Sequence, residues 1–374
     1  MQILVTAEMF GYGPIITCNY LVESLKNKVC AKWIFMGSGI AMEQAKRTGF
    51  FDEYVFCETY DIDELEKKRN YFEESDAVIS VENLQGALFC VRNSFKVYYI
   101  DNLFWLWGSI PEELNKVSCY FIVDYFNARE NINRIGQGIK KYEFVGPLRK
   151  FNVIESDRKE NKILINFGGA ESFLSNFELV LDFYSIALKG IFSTCREAFI
   201  EEIVVCGGNR MVESIKDRLG NESDIRYASF SKEDYLEELC TAQYVILSPG
   251  IGNFSESLDL SIPIMMLPPI NYSQFWQMEE YKKLGLGIEM KNWNDFQWYV
   301  EVERNVEESI GVDQVMENVQ RFVKDEAAWH ELYHEAKRYV NMNGQDYSKC
   351  RKDYQRMFCD DGIEHIARVI SKEM

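Results

Sequence analysis

Short apolar runs recur along this chain at intervals too long for a hairpin and long enough to hold a helix. That rhythm constrains the fold more than any other feature. In the first half the runs are Ile3–Ala7, Trp33–Gly37, Tyr54–Phe56, Ala77–Val81, Lys96–Ile100 and Tyr120–Val123, with helical patterns such as Ile15–Leu25 and Ile62–Phe72 between them. The second half repeats the rhythm with Lys162–Phe167, Glu202–Cys206, Ile225–Ala228, Tyr244–Leu247 and Ile264–Leu267. Strands that are apolar on both faces and alternate with helices form parallel sheets covered on both sides. At 374 residues the chain exceeds what one core usually supports. The break falls at Val145-Gly146-Pro147-Leu148-Arg149, before the polar stretch Glu155–Lys162. The expected organisation is a Rossmann-like domain over residues 1–148, a second over 149–345, and a helix in 346–374 packing back on the first. Two such halves hold a ligand at the carboxyl ends of their strands, in a cleft that they share.

Charge narrows the partners. A formal net charge of -18 repels phosphate backbones and anionic headgroups, so nucleic acid and membrane surfaces are not expected as partners. No apolar run approaches the roughly 20 residues that span a bilayer, and Met1-Gln2-Ile3-Leu4-Val5-Thr6-Ala7 has no basic n-region before its strand. The 10 cysteines include no C-x-x-C pair, as expected of reduced thiols in a cytoplasmic protein and of neither a zinc nor a disulfide framework. Oligomeric state is not readable from any of this.

Two segments carry candidate chemistry. After the strand Ile163-Leu164-Ile165 comes Asn166-Phe167-Gly168-Gly169-Ala170-Glu171-Ser172, a glycine turn at which a phosphate can approach the backbone. After Tyr244–Leu247 comes Ser248-Pro249-Gly250-Ile251-Gly252-Asn253-Phe254-Ser255-Glu256-Ser257-Leu258, a glycine-rich loop opening a helix. The free N–H groups of such a helix can hold a diphosphate, and a carboxylate about one turn inside can accept both hydroxyls of a ribose diol. Read plainly, Glu256 complements the helix dipole, worth roughly 0.3–1 kcal/mol.

The stretch Ser248–Pro268 resembles the nucleotide-binding segment of GT-B glycosyltransferases. The similarity is to those near the peptidoglycan N-acetylglucosaminyltransferase that makes lipid II, the UDP-sugar hydrolase of pseudaminic acid synthesis and related spore-coat polysaccharide proteins. Gly250, Gly252, Ser255 and Glu256 match its pattern, with Asn253 inside it, and the resemblance implies that Glu256 grips the ribose. It implies a diphosphate contact for Gly168, Gly169 and Ala170, donor-sugar contacts for Asn271, Gln274 and Gln277, and a place beside the base for Phe230. The implied fold is α/β, two Rossmann-like doubly wound domains with an interdomain cleft. The implied reaction is metal-independent, inverting transfer from a UDP-sugar substrate to a small soluble acceptor, without a cofactor.

The first half departs from that family. Its usual Gly-x-Gly-His turn is here Phe10-Gly11-Tyr12-Gly13-Pro14, and proline moves no proton. The histidines His330, His334 and His365 all lie in the C-terminal helical region. Carboxylates at strand ends remain as bases: Glu8 after the first strand, and Asp101 after Lys96–Ile100. Asp101 opens Asp101-Asn102-Leu103-Phe104-Trp105-Leu106-Trp107-Gly108, where Trp105 or Trp107 could stack on a flat acceptor held over Gly11, Tyr12 and Gly13. The same loop can equally pack over its own domain. The Gly-Tyr-Gly-Pro turn with this loop is similar to cytosylglucuronate synthases, which implies UDP-glucuronate as donor and cytosine as acceptor. A nucleotide-sugar hydrolase or epimerase, and a non-catalytic UDP-sugar-binding protein, are the alternatives.

Overall fold

The computed structural model describes the chain except for residues 10, 150–160, 171–174, 261, 286–288, 342–351, 353 and 355–360. Phe10, Glu171 and Ser172, and most of the polar connector at 155–162, lie outside the described residues. The chain divides into two compact units, Met1–Phe151 with Phe358–Met374, and Asn152–Met357. Both are Rossmann-like, with doubly wound parallel sheets.

In the first unit the strands are β1 (Gln2–Ala7), β2 (Lys32–Gly37), β3 (Glu53–Phe56), β4 (Ala77–Val81), β5 (Val97–Asp101), β6 (Cys119–Val123) and β7 (Tyr142–Val145). They form one sheet in the order β3-β2-β1-β4-β5-β6-β7, every neighbour parallel. The helices α1 (Gly13–Lys26), α2 (Gly39–Thr48), α3 (Ile62–Lys67), α4 (Arg69–Glu73), α5 (Leu84–Arg92) and α6 (Ala128–Ile135) connect them. β4, β5 and β6 are buried along their whole length because helices cover both faces, which is why their sequences are apolar without alternation. Pro14 opens α1, where its missing N–H costs no intrahelical bond.

The second unit holds β8 (Lys162–Asn166), β9 (Glu202–Cys206), β10 (Ile225–Ala228), β11 (Tyr244–Leu247), β12 (Ile264–Met266) and β13 (Glu289–Met290), in the order β10-β9-β8-β11-β12-β13 and again all parallel. Its helices are α7 (Phe177–Glu197), α8 (Asn209–Leu219), α9 (Lys232–Thr241), α10 (Ile251–Asp259), α11 (Tyr272–Leu284), α12 (Glu308–Lys324) and α13 (Glu326–Val340). α13 is pinned to the sheet by Tyr339, whose hydroxyl accepts the Val245 N–H at 2.9 Å and lies 2.8 Å from the Pro263 carbonyl. The last helix, α14 (Gly362–Glu373), belongs to the first unit. It buries Ile363, Ile366, Ala367 and Ile370 against α1, and Glu364 bonds Ser24 and Lys28. Among the described residues no helix is long and apolar enough to cross a membrane.

Glu335 sits buried on α13, and burial holds its carboxyl up at about 7, with Arg338 at 3.6 Å only partly opposing the shift. Its folded proton affinity exceeds the unfolded one, so stability is present below the ordinary glutamate range and is lost as pH rises through 7. Glu335→Gln, which does not titrate, should therefore raise the melting midpoint at pH 8 by the equivalent of about 1–3 kcal/mol and leave it nearly unchanged at pH 5. Thermal melts at the two pH values check this.

Candidate functional site

Sheet order fixes where to look. In the second unit the order reverses between β8 and β11, and in doubly wound sheets ligands bind at the carboxyl ends of the strands flanking such a reversal. Both segments singled out in the sequence leave the sheet there. Beyond β8, the Asn166 side-chain oxygen accepts the Gly168 N–H at 2.7 Å and tightens the turn. Gly168 has φ +63° and Ala170 φ +51°, so the backbone is left-handed twice in three residues. The Gly168 carbonyl accepts the Gly208 N–H at 2.8 Å. A Cβ on Gly207 would stand 2.9 Å from that carbonyl, so only glycine allows the two turns to meet. Gly207 and Gly208 went unread in the sequence, although they follow β9 as Gly168 and Gly169 follow β8.

Beyond β11, Ser248 is buried and 2.6 Å from the Tyr184 hydroxyl, and Gly250 begins α10 without a side chain to cap it. Among the described residues the start of α10 has no side-chain cap, the condition under which a helix end receives an anion. Asn253 lies in the first turn, its amide nitrogen 3.9 Å from where a Gly168 Cβ would be, which joins this helix end to the first glycine turn. Gly252 has open space around it, whereas Ser255 and Glu256 are buried.

Glu256 is not alone. Lys232, the first residue of α9, places its ammonium 2.5 Å from Oε1 and 2.6 Å from Oε2 of Glu256, with both side chains about nine-tenths buried. No sequence signal pointed to Lys232, because its partner is 24 residues away on another helix. Phe230, expected beside the base, is half-buried with the Arg226 guanidinium 5.4 Å from its ring centre.

At the start of α11 Asn271 and Gln274 both hold the turn through their side-chain oxygens. The Asn271 oxygen accepts the Gln274 N–H at 2.9 Å, and the Gln274 side-chain oxygen accepts the Ile270 N–H at 2.9 Å. Both oxygens are therefore engaged in holding the helix start. Gln277 is buried, and its side-chain oxygen has no hydrogen-bond partner among the described residues.

In the first unit the order reverses between β1 and β4. Glu8 follows β1 directly, with its N–H donating to the Val81 carbonyl at 3.1 Å. Its side chain is half-buried and accepts the Met9 N–H at 3.0 Å and the Asn83 amide at 3.4 Å. Burial raises its carboxyl above the usual range, against those two hydrogen bonds. Asn83 caps α5 through Gly86 and also donates to Thr59 at 2.9 Å. Gly11, at φ +62°, and Gly13 both have open space where a side chain would be, and the half-buried Tyr12 precedes α1.

The aromatic loop corrects two expectations. Asp101 is the last residue of β5 and 1% exposed, with Oδ1 accepting the Leu103 N–H at 2.7 Å, and Oδ2 the Tyr120 hydroxyl at 2.7 Å and the Trp107 indole N–H at 3.1 Å. Burial holds this carboxyl up at about 6 despite those bonds. It is an internal post for its own loop and does not meet the surface as a base must. Trp105 is likewise 1% exposed, packed edge-on against Phe126 at 4.7 Å, so its ring offers no face for stacking. Trp107 is half-buried.

No protein-family model matches the sequence, and no curated protein matches it significantly. Solved structures do match in fold. S. aureus MnaA in complex with UDP aligns at TM-score 0.51 and 15% identity over 96% of both chains. A Listeria monocytogenes protein assigned as a UDP-N-acetylglucosamine 2-epimerase aligns at 0.53 and 12% over 95% of both. The spinosyn rhamnosyltransferase SpnG aligns at 0.52 and 14% over 90% of this chain and 95% of its own. These are likenesses of fold, and the fold is GT-B.

Proposed function

We propose that this protein is a glycosyltransferase that takes a sugar from a UDP-sugar and passes it to a small acceptor. One observation carries the reading. The glycine turn at Gly168, the uncapped start of α10 and the buried carboxylate of Glu256 converge at the reversal point of one parallel sheet. Backbone N–H groups and the helix dipole would bind the diphosphate, so the reaction would need no metal. Glu256 would accept from the ribose diol. Gln277, with a buried oxygen that meets no donor among the described residues, would take a hydroxyl of the sugar, which offsets the cost of leaving it unmet. Asn271 and Gln274 would face the sugar through their amide nitrogens, and Phe230 would border the base. On the first unit Glu8 would accept the acceptor's proton, near Gly11, Tyr12, Gly13 and Trp107. The finer reading takes UDP-glucuronate as donor and a nucleobase such as cytosine as acceptor, supported by the Gly11–Pro14 turn and the loop that ends in Trp107.

Calorimetry with UDP tests the donor site. Glu256→Gln should weaken binding by about 1–3 kcal/mol, the worth of a charge-assisted acceptor, and it keeps the side-chain volume that Glu256→Ala would remove. Unchanged affinity in a folded Glu256→Gln protein removes Glu256 from the site. The fold match to the protein assigned as a 2-epimerase favours a second reading, conversion of the nucleotide sugar itself. Turnover of the donor with no acceptor present would establish that alternative.

A further inference from the structure

Lys232 stands where helix energetics would not put it. It is the first residue of α9, at the positive end of the dipole, where a cation is disfavoured. The acidic residues of that first turn, Glu233 and Asp234, are what the position calls for. The Lys232 ammonium lies 4.8 Å from the ring centre of Tyr235 on its own helix and reaches across to α10. It also does not touch Glu256 at one oxygen, as a surface pair would. Its ammonium lies 2.5 Å from one oxygen and 2.6 Å from the other, in the fork of the carboxylate.

That fork is the place a vicinal diol needs. Two neighbouring hydroxyls bind a carboxylate best by donating to both oxygens together, from the side that the ammonium now fills. We propose that Lys232 is a specificity-determining residue that occupies the ribose-holding fork of Glu256 until a diphosphate draws its ammonium away. This rests on the reading of Glu256 as the ribose acceptor. A ligand must displace Lys232 to reach the carboxylate, and a largely buried ammonium leaves its partner only for another anion. A nucleoside offers none. A nucleoside diphosphate offers one, because the proposed donor site puts its phosphates at the start of α10, five residues before Glu256 and so about 7.5 Å along the helix. The flexible four-carbon stem of a lysine lets its ammonium swing toward them. The pair thereby makes ribose recognition conditional on the diphosphate.

The test is calorimetry with uridine, 2′-deoxyuridine and UDP on the wild type, Lys232→Met and Lys232→Arg, with thermal melts to verify folding. Lys232→Met frees the fork, so uridine should bind about 10-fold more tightly and UDP about 10-fold more weakly, the low end of what one charge-assisted bond is worth. 2′-Deoxyuridine, lacking the diol, should gain nothing. Lys232→Arg, whose planar fork grips a carboxylate harder, should weaken both uridine and UDP, and it carries the test if Lys232→Met does not fold. Uridine affinity that falls or stays level in Lys232→Met, or that rises in Lys232→Arg, overturns the proposal while the donor site stands. A folded wild type that binds no UDP overturns the donor site itself.

Discussion

Trp105→Ala should lose about 3–5 kcal/mol of stability, the usual cost of emptying a buried tryptophan site, and, on the proposed transfer reaction, leave the affinity of the folded protein for an acceptor nearly unchanged. The indole is 1% exposed and meets Phe126 edge-on at 4.7 Å. The loop around it is tied down on its neighbours' terms. Asn131 donates to the Phe104 carbonyl at 2.6 Å and to the Trp107 carbonyl at 3.1 Å, and Arg134 donates to the Trp107 carbonyl at 2.7 Å. With its backbone held, the loop cannot close over the space a missing indole leaves, which sets the cost at the high end. Trp107→Ala removes a half-buried ring and one hydrogen bond to Asp101, so it costs less stability and is the substitution that should raise acceptor KM. Urea denaturation and acceptor titrations on the two variants separate these effects. A Trp105→Ala protein with wild-type stability and a raised KM would return that ring to the binding surface.

What the sequence made legible follows from how strands advertise themselves. β4, β5, β6 and β8 are buried on both faces and stand out as apolar runs. β7 did not, because Tyr142–Val145 is an edge strand with three of its four residues partly or fully exposed, and β13 is a two-residue strand, Glu289–Met290, at the other sheet's edge. The glycine turns were readable because they follow strands directly. Lys232 was not, since ion pairing between helices leaves no periodic trace. Asp101 shows the harder ambiguity. A carboxylate at a strand end serves a base and an internal cap equally well, and only the hydrogen bonds to Leu103, Tyr120 and Trp107 decide for the cap. The tryptophans at i and i+2 failed for a related reason. A two-residue period orders side chains on a strand, but in an irregular loop one residue can be fully buried while the other is only half-buried.

Those corrections leave Glu8 as the base to test, and Glu8→Gln should lower kcat by about 10²–10⁴-fold, the range for loss of a general base. The residue sits where β1 ends, at the reversal of the first sheet, and its backbone is fixed by the Val81 carbonyl. Burial raises its carboxyl, while the Met9 N–H and the Asn83 amide hold it back. A carboxylate whose pKa lies closer to the working pH is a stronger base that is still ionised there. The sign of the pH dependence follows. Turnover should fall as pH drops through the raised Glu8 pKa, and that acidic limb should vanish from the residual activity of Glu8→Gln. Asn83→Ala removes a hydrogen bond that favours the charged form, so its acidic limb should move to higher pH. Asp101→Asn supplies the contrast. It weakens a buried acceptor of three hydrogen bonds and should lower the melting midpoint while the folded protein keeps most of its kcat. UDP binding should be unaltered in Glu8→Gln, because the proposed donor contacts do not include that residue. If Glu8→Gln turns over at nearly the wild-type rate and keeps the acidic limb, the acceptor reacts without a protein base on this strand end.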